Sequence, residues 1–417
     1  MKVNEVVCIK CKGYKKLCGL SSCPLLERYR IHLNAIKNVK RMEVEGSTPP
    51  SLIVGEHNYP KVNVLLQVPP NVKGNRAKIF DSPSTWWGKL SLEEIIKLRS
   101  SLIALSMKAD VNNPWKLYDK EISLSAISSK PVDLEARLRK RPKPILSFDS
   151  ILTPIGPKAL PEKLTITSNP KIERVVEKVI WDDMKAYEAV WELFQYNVDF
   201  YTIVRCLSLG LLGRIRSRRL VPTRWAITAV DTIISSRILK ILKSFKQVNE
   251  HYVGVIEYLG NRFGIILYPS SHELLWIEIW HPSSLWVRKS QKPIIVVNKE
   301  RANGKPKYID GGYMAAKTGI LQCLLKTKRQ AGIIVFREVL PSYYAPVGNW
   351  HIRMSSKKAL ELKLRKVESL NEAFAEVGKY LMVSMDELLN AIPYLNIKAQ
   401  KKLTKYMKLD EESGLNR

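Results

Sequence analysis

Four cysteines, Cys8, Cys11, Cys18 and Cys23, stand close together at the start of the chain. Cys8 and Cys11 have the two-residue spacer that turns both sulfurs of a knuckle toward one ion, and Cys18 and Cys23 supply a second pair to complete a tetrahedron of thiolates. Gly13 and Gly19 follow Cys11 and Cys18 closely, where a reversal of the chain calls for positive φ. The chemistry implied is a structural Zn2+ site, because four protein ligands leave no open position for a substrate water. A segment this short needs its metal to fold. Lys10, Lys12, Lys15 and Lys16 interleave with the ligands. They either offset the charge of the bound thiolates or contact phosphates.

Other groups capable of chemistry are less concentrated. His272, Glu273, Glu278 and His281 lie within one segment, and Asp231 and Asp310 fall at the ends of expected elements. Paired carboxylates can hold a divalent metal for phosphodiester hydrolysis. In an alternating strand, however, Glu278 shares a face with Leu274, Trp276 and Trp280, while Glu273 lies on the other, so paired or solvated charge is the favoured reading. Arg224 beside Trp225 has the makings of a phosphate contact with a stacking base, yet the apolar run after Trp225 favours core packing. Gly311-Gly312 lacks the spacing of a P-loop, and neither a dinucleotide fingerprint nor a nucleophile elbow is present. Cys206 and Cys323 sit in apolar surroundings, as buried inert thiols do.

The charge balance identifies the partner class. Lys and Arg number 68 against 39 Asp and Glu, a formal net charge of +29 with a pI near 9.8. Such a field attracts polyanions, of which nucleic acid is the usual intracellular case. The densest basic stretch carries Arg205, Arg214, Arg216, Arg218, Arg219 and Arg224 with no acid between residues 200 and 230. These arginines are the candidate DNA contacts, and a smaller cluster at Arg137, Arg139, Lys140, Arg141 and Lys143 accompanies them. No apolar run is long enough for a membrane helix, and no signal-peptide core precedes Cys8. A cytoplasmic protein is the default expectation.

The elements that must position these groups are partly legible. Residues 25–41 have helical apolar rhythm, Leu52–Val54 and Val62–Val68 read as strands, and Ser91 with Glu94 caps a helix running toward Leu105. Residues 130–165, rich in proline and basic side chains, read as an extended loop or linker. A helical region over 171–196 is followed, from about 251 to 300, by four successive strand-like runs that suggest one antiparallel sheet. A helix over 312–327, a strand through GIIVFREVL and a helical stretch after 355 complete the body. Strands and helices do not alternate strictly. The expected class is therefore mixed α+β, a largely antiparallel sheet with helices plus the small N-terminal zinc module.

Five segments, CIKCKGYKKLCGLSSCP, STPPSLIVGEHNYPKV, DSPSTWWG, RLVPTRWAITAVD and KRQAGIIVFREVLPSYYAPVGNW, give the chain a resemblance to the archaeal Nre family of DNA repair proteins, in its NreA type. The resemblance implies a role in the DNA damage response, a four-cysteine zinc finger and a C-terminal peptide that binds the sliding clamp PCNA. It hands over no catalytic residue. One departure is Glu56-His57, where a more basic and aromatic pair is expected. The implied organisation is a zinc module over 1–30, an N-terminal region over 31–300, a C-terminal region over 301–398 and a tail over 399–417. In that tail Gln400, Leu403, Tyr406 and Met407 have the spacing of a clamp-binding peptide: a short helical turn inserting apolar anchors, with the glutamine in a separate polar pocket. Met407 replaces the second aromatic, filling an apolar pocket adaptably without aromatic contact. The sequence thus points to a DNA repair factor that binds DNA and is recruited to PCNA. A metal-dependent nuclease acting on damaged DNA and an RNA-binding protein are the alternatives.

Overall fold

The computed structural model describes residues 11, 15, 23–144, 154–282, 284, 292–300, 306–393 and 395. Helix α1 (Pro24–Lys37) follows Cys23 directly, with Pro24 at its first position, where the missing N–H costs nothing. Strands β1 (Glu43–Thr48), β2 (Leu52–Val54) and β3 (Lys61–Val68) come next. Helix α2 (Leu92–Ser100) opens on a full capping box, Ser91 Oγ accepting from Glu94 N while the Glu94 carboxylate accepts from Ser91 N. It ends at Ser100 instead of reaching Leu105, because Ile103–Asp110 pairs with β3 as strand β4.

The basic, proline-rich stretch after residue 130 is not simply a linker. It contains β5 (Val132–Leu138), whose inward residues Val132, Leu134, Ala136 and Leu138 alternate with exposed or half-buried ones, then β6 (Lys158–Ala159) and β7 (Pro161–Ile166). Two small sheets result, ordered β1-β5-β7 and β2-β3-β4-β6.

Helices α3 (Arg174–Trp181), α4 (Ala186–Gln195), α5 (Phe200–Ser208) and α6 (Thr223–Leu242) lead to the largest sheet. Its strands are β8 (His251–Tyr258), β9 (Asn261–Tyr268), β10 (Glu273–Trp280) and β11 (Ile294–Glu300), then β12 (Gly332–Val339) after helix α7 (Gly311–Thr327), and β13 (Arg365–Val367) after helix α8 (Trp350–Leu362). The order is β11-β10-β12-β9-β8-β13. The four expected strands do share one sheet, but it is mixed, since β10 and β12 run parallel. The crossover through α7 supplies the long connection that parallel neighbours require.

This sheet is covered on both faces. Leu274, Trp276, Ile333 and Val335 join the core that holds α6, α7 and α8, while Leu275, Ile277, Ile334 and Phe336 pack against α9 (Leu370–Gly378) and α10 (Met385–Ala391). Burial on both sides explains why β12 reads as a continuous apolar run. Strands from either side of residue 300 lie in the same sheet, so the two halves of the chain share a core.

Candidate functional site: a cation-lined cleft

A cavity of about 1290 Å³ opens between the small β2-β3-β4-β6 sheet, the first half of α6 and one end of the large sheet. Four of the five segments that carry the family resemblance contribute to its lining: Ser51–His57, Asp81 and Pro83, Pro222–Trp225 with Ile227–Ala229, and, from the last, Arg337, Tyr343, Pro346, Gly348 and Asn349. Six cations line it (Arg28, Arg99, Lys158, Arg205, Arg224 and Arg337) against four carboxylates (Glu56, Asp81, Glu278 and Asp310). Three of those cations are paired: Arg99 with Asp81 at 3.0 Å, Arg224 with Glu56 at 3.1 Å and Arg337 with Glu278 at 2.6 Å. Glu56, the departure noted in the sequence, thus sits opposite the one arginine of the PTRW segment.

Side-chain phase builds the polar end. Glu278 and Arg337 are register partners on the parallel strands β10 and β12, on the face that carries Trp276 and Val335. Asn261, at the start of β9, accepts from Arg337 Nε at 3.0 Å and Nη2 at 2.8 Å, fixing the guanidinium. Asp310 caps α7, its Oδ2 accepting from Tyr313 N at 2.8 Å. The two glycines after it permit close approach: a Cβ on Gly311 would lie 2.5 Å from Asn349 Nδ2, and one on Gly312 would lie 3.2 Å from Asp310 Oδ2 and 3.3 Å from Ile352 Cδ1. Burial pushes the Glu278 carboxyl above the usual carboxylate range against the pull of Arg337, and the charge of Asp310 adds to the rise. His351 completes this end. Its Nδ1 hydrogen-bonds to Gly348 O at 2.7 Å, and burial, reinforced by Arg337, holds the ring neutral with a pKa lowered to about 3. A neutral ring that donates through Nδ1 presents Nε2 as an acceptor, and that nitrogen is buried without a hydrogen-bond partner.

The mouth has a different character. Trp225 is 51% exposed and Ile309 67% exposed, and both line the cavity. The expectation that Trp225 packs in the core is therefore overturned. The buried stripe of α6 runs through Ala226, Val230, Ile234 and Ile238, and Trp225 falls one residue outside it, on the first turn.

The remaining residues singled out from sequence are dispersed. Among the candidate DNA contacts, Arg205 and Arg224 line the cleft, whereas Arg214, Arg216 and Arg219 are exposed on the α5–α6 connection. Arg218 is buried and donates to Gly213 O, Ile180 O and Asp182 O at 2.6–2.7 Å, so its guanidinium is committed to tying that connection to α3. His272 bonds Glu300, which also accepts from Tyr313 Oη and, at 2.8 Å, from Lys317 Nζ. Glu273 accepts from Tyr268, His281 pairs with Glu338 at 2.8 Å, and Asp231 pairs with Arg353. Of the carboxylates considered for metal chemistry, only Glu278 and Asp310 come together. Among the described residues no group of three His, Cys, Asp or Glu side chains is arranged to hold a metal. Cys206 and Cys323 are free thiols, pushed up by burial to about 12 and about 11.

Cys11 is buried, and Cys23, half-buried, is the N-cap of α1. Cys8 and Cys18 lie outside the described residues, as do Gln400, Leu403, Tyr406 and Met407. No helix among the described residues is long and apolar enough to cross a membrane.

A mixed α+β body built around a basic, partly aromatic cleft defines the class of protein. Residues 17–287 match the family model for the N-terminal region of archaeal Nre proteins, and residues 298–406 match the model for their C-terminal region. The chain belongs to the archaeal Nre family. It is 38% identical over 381 residues to a DNA repair protein NreA of Archaeoglobus fulgidus, covering 90% of this chain and 94% of the relative. A DNA repair protein NreB of the same organism is 32% identical over 403 residues, covering 96% and 100%. A DNA repair protein NreA of Haloferax volcanii is 32% identical over 354 residues, covering 82% and 84%. No solved structure matches the chain.

Proposed function

We propose that this chain is a DNA repair factor that binds DNA along the cleft and the exposed arginines beside α6, and that its C-terminal peptide recruits it to the sliding clamp PCNA. The observation that carries the reading is the cleft, where four of the five segments that carry the Nre resemblance meet a cation-rich lining in a chain of net charge +29 that belongs to a family with relatives named DNA repair proteins. Zn2+ held by Cys8, Cys11, Cys18 and Cys23 would organise the N-terminal module ahead of α1, and its role is structural. The test is fluorescence anisotropy of labelled duplex DNA across a salt series. Affinity should fall steeply with salt, as release of phosphate counterions requires. Salt-insensitive binding, or tighter binding to structured RNA in competition, would remove DNA from the account. Deleting residues 400–407 should abolish co-elution with PCNA while leaving DNA affinity unchanged.

A second reading, an enzyme that processes damaged DNA, is favoured by one observation. The raised Glu278 carboxyl and Asp310 line the same cleft, and a carboxyl held above its usual range inside a cleft is a candidate for acid–base chemistry. Incubating lesion-bearing duplexes with the protein, with and without Mg2+ or Mn2+, separates an enzyme from a binding factor.

A further inference from the structure

The cleft is larger than phosphate contacts need, and its two ends differ in chemistry. At the mouth, Trp225 and Ile309 expose apolar surface beside the cleft. Trp225 lies on the first turn of α6, and Thr228, one turn further along the same face, sits 3.4 Å from where a Cβ of Gly311 would be. One helical turn is about 5.4 Å, so this face of α6 forms a short rail from the exposed indole to the Asp310 end. There the groups are polar and fixed: Asp310 as a helix cap, Glu278 on Arg337, and the neutral His351 with its buried, unpartnered Nε2. A buried acceptor without a donor is uncommon in folded proteins and calls for an explanation.

We propose that the cleft receives a single unpaired nucleotide of a DNA strand. The base stacks on Trp225 at the mouth, Ile309 fills the gap left in the stack, and the polar edge of the base meets His351 Nε2 and the Asp310 end. The flanking phosphates lie against Arg205 and Arg224. An aromatic face accepts any base, while a neutral imidazole acceptor takes an N–H of the base edge, and DNA-processing proteins commonly reach a base by extruding it from the helix. The proposal rests on the DNA-binding reading above and adds to it the part of DNA that is held.

The test uses the full-length chain and two duplexes of one sequence, one fully paired and one with a single unpaired 2-aminopurine. Anisotropy reports binding, and 2-aminopurine emission reports stacking of that base. The unpaired duplex should bind about ten-fold more tightly or better, with quenched emission. Trp225→Ala should lose both the preference and the quench, Trp225→Phe should retain most of each, and Ile309→Ala should weaken the preference. Thermal melting of each variant reports loss of folding separately from loss of stacking, and Trp225→Phe keeps an aromatic ring that Trp225→Ala removes. Equal affinity for the two duplexes, or a preference that survives Trp225→Ala, overturns the proposal while leaving DNA binding intact. Absence of binding to either duplex overturns the DNA-binding reading itself. Tighter binding of the matching RNA would assign the cleft to a different polymer.

Discussion

Two buried arginine–carboxylate pairs in this molecule use the same chemistry for different ends. Arg353 on α8 meets Asp231 on α6 through two bonds, Nε to Oδ1 at 2.8 Å and Nη2 to Oδ2 at 2.6 Å, with its guanidinium 3.5 Å above the Phe200 ring. Burial opposes its charge, yet Asp231 and Tyr201 hold its pKa above the usual arginine value. Both partners are satisfied and packed between helices, as a strut should be. Arg337 and Glu278 instead join two strands beside a cavity, and there it is the carboxylate that burial drives upward. The contrast shows that a buried ion pair is informative about function only when its surroundings leave one partner poorly stabilised beside open space.

The comparison is broken or sharpened by four variants, in descending order of effect. Asp231→Ala leaves Arg353 charged and buried without its partner and should cost about 3–5 kcal/mol in urea unfolding. A loss below about 1 kcal/mol would mean that the pair is no strut. Arg218→Ala removes three bonds to main-chain carbonyls and should cost about 2–4 kcal/mol. Replacing Arg214, Arg216 and Arg219 together with Ala should leave stability nearly unchanged, yet lower DNA affinity and flatten its salt slope by up to about 3. The smallest effect belongs to Glu278→Gln. Because the folded state raises the Glu278 pKa, the folded protein binds that proton more tightly than the unfolded chain does. Its stability contribution therefore declines as pH rises from the ordinary carboxylate range through the raised value. The wild type should gain on Glu278→Gln as pH falls across that window, and a difference independent of pH would argue against a raised Glu278.

Local signals carried well from sequence to structure where one residue type does one job. The Ser91–Glu94 box, the strands around the Tyr59-Pro60 turn and the four strand runs after residue 250 all appear where their residues put them. The linker reading of residues 130–165 failed because proline and charge obscured the alternation of Val132, Leu134, Ala136 and Leu138, which was present to be read. Trp225 misled for a similar reason. An apolar run follows it, but only the phase of Ala226, Val230 and Ile234 separates it from the core. The cleft itself was not legible. Glu278 reaches Arg337 through a parallel register, and Asp310 joins the same lining as the cap of a crossover helix, so their meeting depends on non-local pairing that no short window contains. Within the arginine-rich stretch, composition could not separate Arg218, bound to three carbonyls, from its exposed neighbours.

The central claim is that DNA lies in the cleft. Photo-crosslinking the full-length chain to a strand carrying 5-iodouracil, followed by peptide mapping, tests it most directly. Crosslinks should fall on the peptides containing Trp225 and His57, and Trp225→Ala should remove the first of them. Crosslinks confined to peptides that contribute nothing to the cleft would contradict the account.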